Sequence, residues 1–152
     1  MATPFLSYHF PPQADAERTY QVSFGMGRVL KAMQAMDRAS ETVDTRMGPQ
    51  QRPIRAKRQL FVDVARDPLN FEPVERFRGS PANGAMDFRV RAQMSYLDPA
   101  YRRLPIHGDT FLVRTALRGS QLTLRIARQE GLGRTKPDDV ARLIRDSLGK
   151  AR

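Results

Sequence analysis

The side chains whose types and spacing could do chemistry are arginines. Arg89 and Arg91 stand two apart in AMDFRVRAQMSYL, and Arg114 and Arg125 flank the turn of TFLVRTALRGSQLTLRIAR. A second group, Arg52, Arg55, Lys57 and Arg58, falls within GPQQRPIRAKR. A guanidinium is planar, permanently charged and presents its donors as a fork, which matches the oxygens of phosphates and carboxylates. The chemistry on offer is recognition of anions: nucleic-acid phosphates, an anionic lipid surface or an acidic protein.

Catalytic patterns are sparse by comparison. The histidines, His9 and His107, stand far apart in the chain without ligand-spaced neighbours, so no metal site is expected. The chain has no cysteine, which removes disulfides, thiolate metal sites and thiol nucleophiles. Gly25 and Gly27 form a GxG lacking the third glycine of a dinucleotide fingerprint, no P-loop pattern is present, and no serine lies in GxSxG. Carboxylates are scattered: Glu72 and Glu75 share one loop, while Asp138 and Asp139 suit the positive end of a helix. The expectation is a non-enzymatic protein with no cofactor and no identifiable small-molecule substrate.

Charge supports the anion reading. The formal net charge is +10 and the sequence pI about 11.0. Residues 1 to 48 are balanced, so the excess lies in the remainder of the chain. A length of 152 residues suits one domain with one core. The first residues lack a basic, apolar leader, and no apolar run approaches the roughly 20 residues of a membrane span. These features lead to the expectation of a cytoplasmic protein, or one held within a particle.

The elements that must position the arginines follow from periodicity. In 110–128, Phe111, Val113, Thr115 and Leu117 alternate with Leu112, Arg114 and Ala116, Leu122, Leu124 and Ile126 alternate with Thr123, Arg125 and Ala127, and Gly119-Ser120 suits a two-residue turn. The hairpin register this implies sets Leu117 against Leu122, Thr115 against Leu124 and Val113 against Ile126. On the other face it sets Arg114 against Arg125, an unfavourable like-charge pair. An acid on the next strand, Asp87 or Asp63, would complete that face; so would a phosphate, a lipid head group or an acidic partner.

Residues 85–97 and 59–65 also alternate and read as strands, with Arg89 and Arg91 on the polar side of the first. Thr19 to Phe24 reads as a short strand. Val22, Met26, Val29, Met33, Met36, Val43 and Met47 recur at steps of four and three, interrupted only by Ser40, which predicts a helix over 28–46. Gly48 to Arg58 reads as a basic loop, Asp67 to Gly84 as a long proline-bearing loop, and Asp98 to Asp109 as a connector. A last helix follows Thr135, whose spacing to Asp138 suggests a capping box, with Val140, Leu143, Ile144 and Leu148 as its buried stripe and Gly149 as its stop.

The expected architecture is α+β: a single antiparallel sheet of four to five strands with two helices packed on one face, spanning 13–152. Ahead of it, residues 1–12 form an aromatic arm in which Phe5, Leu6, Tyr8 and Phe10 offer an oligomerisation contact. The functional expectation is a structural or assembly subunit of a larger particle, viral or otherwise. It would self-associate and touch nucleic acid or an anionic surface through Arg89, Arg91, Arg114 and Arg125 and through the Arg52 to Arg58 segment. A small basic RNA- or DNA-binding protein acting through phosphate contacts is the alternative.

Overall fold

The computed structural model describes residues 13–64 and 83–150. The aromatic arm with Phe5, Leu6, Tyr8 and Phe10, and most of the long loop expected over 67–84, lie outside the described residues. The elements run β1 (Ala16–Gln21), α1 (Met26–Met36), β2 (Ser40–Met47), β3 (Arg52–Val64), β4 (Asn83–Leu97), β5 (Arg103–Arg118), β6 (Gln121–Glu130) and α2 (Pro137–Lys150). All strands join one antiparallel half-barrel sheet in the order β1-β6-β5-β4-β3-β2.

The sheet therefore has six strands, not four to five. The error lies at 28–58. The helix ends at Met36, and Ser40–Met47 is a strand paired along its length with β3, so the basic loop becomes the second arm of a hairpin. Val43 and Met47 sit four apart, a spacing that satisfies both a helical and a strand period. Thr42, Val43 and Thr45 decide between them, because branching at Cβ restricts χ1 in a helix and packs well on a pleated strand. The helix end is fixed by Asp37, whose carboxylate accepts the Val62 N–H at 2.9 Å, and by Arg38, which adopts φ 67° and donates its N–H to the Leu60 carbonyl at 2.7 Å.

Both helices lie on one face. Met26, Val29, Leu30, Met33 and Met36 of α1 and Val140, Ile144 and Leu148 of α2 bury against Leu60, Phe88, Val90, Phe111, Val113, Leu117, Leu122, Leu124 and Ile126. Each fully buried large apolar side chain here contributes about 1.5–3 kcal/mol of transfer free energy. The β5–β6 register is the expected one, with Leu117 against Leu122, Thr115 against Leu124 and Val113 against Ile126. Thr115 is buried in that face and donates its hydroxyl to the Met86 carbonyl at 2.9 Å.

The cap of α2 is shifted by one residue from the expected box: the Lys136 N–H donates to Asp139 at 3.2 Å, ahead of Pro137 at the first helical position. Buried Asp109 holds the preceding loop by accepting the N–H groups of Gly133 and Thr135 at 2.9 and 2.8 Å.

One irregularity decides where side chains point. The β4–β5 register slips between Ala92 and Met94, so that Ala92 faces Asp109 while Met94 faces Ile106. The extra residue is on β5, at His107-Gly108, and it reverses which face odd-numbered residues occupy. Gly108 is required there, since a Cβ would lie 2.2 Å from the Ala92 carbonyl oxygen. The expected connector over 98–109 is thus mostly strand from Arg103 onward.

Candidate anion-binding face

The face away from the helices carries the charges, in rows that cross the strands. In the first row the register aligns Glu17, Arg125, Arg114 and Asp87 across β1, β6, β5 and β4. The like-charge pair is thus bracketed by an acid at each end. Asp87 takes Arg114 in a bidentate grip, Nε to Oδ1 at 2.8 Å and Nη2 to Oδ2 at 2.9 Å, while Arg125 lies 3.8 Å from Glu17. Asp87 is buried, and desolvation raises its pKa above the ordinary carboxylate value although the hydrogen bond and charge of Arg114 pull the other way. The simple completion of the arginine pair, an acid on the next strand, is what the fold supplies at Arg114.

The next rows are similarly occupied. Arg89 stands opposite Asp63 and donates from Nε to Gln129 at 3.3 Å. Arg91 stands opposite Phe61, with its guanidinium 5.3 Å from the ring centroid. Such a contact satisfies part of the cation through the negative ring face. Arg89, Arg91, Arg114 and Arg125 do share one face, as the strand periodicity suggests, but each is engaged by its own neighbours.

The basic segment 52–58 behaves differently because it is a strand, and its residues alternate between faces. Arg58 turns inward and is buried, with Glu41 at 3.0 Å and Asp139 at 3.6 Å; Arg142 reaches the same Glu41 oxygen at 3.2 Å. It ties β2, β3 and α2 together. Arg55 and Lys57 point outward, and Arg52 is exposed beside the hairpin turn.

Around Arg55 and Lys57 a second arrangement forms. Lys57 aligns with Thr42 and Ser95, Arg55 with Asp44, and Arg103 with Leu97. Arg103 reaches this face only because of the Gly108 bulge. Together Ser40, Glu41, Thr42, Arg55, Ala56, Lys57, Leu97 and Arg103 line a depression of about 450 Å³, with Glu41 held by Arg58 and Arg142. The Asp44–Arg55 contact is long, 3.9 Å, with the Arg55 and Asp44 side chains 80% and 86% exposed. An exposed pair of that kind contributes little. Among the described residues Lys57 and Arg103 form no ion pair.

Arg103 is the residue that reading the sequence missed. The available signal was Gly108 within an otherwise apolar-alternating stretch, since an isolated glycine in a strand marks a bulge. His107 sits exposed beside it. Among the described residues no three His, Asp or Glu side chains gather as a metal site would require. A second depression, of about 500 Å³, lies where β1 leads into α1 and is lined by Tyr20, Val22, Ser23, Phe24, Arg28 and Arg145. No helix among the described residues is long and apolar enough to cross a membrane. No protein-family model, curated protein or solved structure matches the chain.

Proposed function

We propose that the chain is a non-enzymatic structural or assembly subunit that attaches to nucleic-acid phosphates through the Arg55, Lys57 and Arg103 corner of its outer face. One observation carries this reading. Cations from β3 and β5 surround an open depression and two hydroxyl side chains line it; its one lining acid, Glu41, is engaged by Arg58 and Arg142, and Asp44 alongside is solvated and weakly engaged. Such a corner neutralises phosphates without reading base edges, so it attaches to a backbone rather than to a sequence. The Arg89, Arg91, Arg114 and Arg125 rows contribute background potential and are not the contact surface. A small basic RNA- or DNA-binding protein would use the same corner; self-association separates the two readings.

The test is fluorescence anisotropy with a labelled duplex of mixed sequence, titrated at several salt concentrations. Affinity should fall with salt with a logarithmic slope of about −3, since each neutralised phosphate contributes roughly 0.9. The triple change Arg55→Glu, Lys57→Glu, Arg103→Glu should remove binding and leave the thermal melt in place. A salt-independent affinity, or an unchanged affinity in the triple variant, would overturn the proposal.

A further inference from the structure

The sheet ends at β2, which pairs with β3 along its whole length and, among the described residues, with no strand on its other side. Its exposed residues are Ser40, Thr42, Asp44 and Arg46, while Glu41, Val43, Thr45 and Met47 are half-buried. Val43 and Met47 rim the small apolar cluster of Ala56, Met94 and Ile106, together with Ile54 and Tyr96. An open edge offers a row of backbone donors and acceptors to any strand alongside.

We propose that β2 pairs antiparallel with β2 of a second copy of the chain, about a two-fold axis at Thr45. If both copies keep the same face outward, the axis must fall on a residue, and the choice of residue fixes every opposition. An axis at Thr45 sets Asp44 against Arg46 and Arg46 against Asp44 on the outer face. On the inner face it sets Val43 against Met47, twice, and places Thr45 against itself. Opposite charges, apolar pairs and Thr–Thr pairs are the favourable cross-strand combinations.

The neighbouring choices are worse. An axis at Asp44 brings the two carboxylates face to face and sets Met47 against Glu41. An axis at Val43 leaves Asp44 on Thr42 and Arg46 on Ser40, compensating neither. The favoured axis sets Thr42 opposite Gly48 and Ser40 opposite Gln50 of the second copy, which already belong to its turn, so no strand residue of that copy's β2 lies against the two residues that share the depression with Arg55, Lys57 and Arg103. Arg134 donates to the Thr45 hydroxyl at 3.1 Å and to the Arg46 carbonyl at 2.8 Å. That carbonyl keeps a second lone pair for a neighbouring strand. Charges on an edge often deter pairing; here their alternation specifies one register.

This deepens the assembly reading by naming the self-contact and placing two cationic corners on one continuous face. It is tested without any nucleic acid, so its failure is separate from that of the duplex-binding assay. Sedimentation velocity over a micromolar concentration series should show a reversible dimer. Asp44→Arg alone and Arg46→Asp alone should each weaken it roughly 10- to 100-fold, because an isologous interface counts each change twice. The double exchange Asp44→Arg, Arg46→Asp restores the oppositions and should restore the dimer. A protein that stays monomeric, a dimer indifferent to the single reversals, or a double exchange no tighter than the singles overturns the proposal.

Discussion

Arg114 and Lys57 occupy one face of one sheet and differ in what surrounds them. Arg114 stands in a row whose ends are acids, with a buried carboxylate gripping it through two hydrogen bonds. Lys57 stands among Thr42, Ser95 and other cations, and its neighbour Arg55 has a single distant, solvated carboxylate. Formal charge counts both equally. The difference teaches that a basic composition measures potential, whereas the charge free to meet a ligand depends on which strands lie next to each other.

The comparison breaks hardest at Asp87. Replacing it with alanine leaves Arg114 facing Arg125 with its carboxylate gone, and breaking a buried pair costs about 4 kcal/mol. Duplex affinity, measured on protein that remains folded, should stay unchanged. The pH dependence has a definite sign. Burial raises the Asp87 pKa in the folded chain, so the native state holds the proton more tightly than the unfolded one does. Its contribution to stability is therefore fully present below the ordinary value of 3.8 and is lost as pH rises through the raised folded-state value. Denaturant melts across that window should show the wild-type advantage over Asp87→Ala narrowing with rising pH; an advantage that widens would contradict the burial argument.

Much of the paired region was legible before any coordinates. The hairpin register follows from two period-two runs around Gly119-Ser120, and Asp87 was one of two acids able to complete the arginine pair. The corner was not legible, for two physical reasons. A strand dense in cations, Arg55, Ala56, Lys57, Arg58, resembles a solvated loop when read as composition alone. The Gly108 bulge then reverses the faces of β5, so the pattern seen after residue 109 gives the wrong side for Arg103. The β2 strand was hidden because residues four apart satisfy a helix as well as a strand.

A smaller disruption is expected at Arg58. Arg58→Ala strips the buried cation from Glu41 and Asp139, yet Glu41 keeps Arg142 at 3.2 Å and Asp139 keeps the Lys136 N–H at 3.2 Å. The loss should therefore fall below that at Asp87, at about 3 kcal/mol. Chemical denaturation reads it directly, and the salt dependence of duplex binding should not move. If it does move, the inward placement of Arg58 is not what governs the surface.

The smallest effect on stability belongs to the adjacent residue, and it sharpens the contrast most. Lys57 is exposed, and among the described residues it forms no ion pair. Lys57→Ala should therefore change stability by no more than about 0.5 kcal/mol. Its charge nonetheless faces the depression, so the same variant should weaken duplex binding uniformly across sequences and reduce the logarithmic salt slope by about 1. Two neighbours in the chain, Lys57 and Arg58, would then separate cleanly: one moves only the binding assay, the other only the melt. A Lys57→Ala variant that shifts the melt and leaves the slope alone would place the anion contact elsewhere on the molecule.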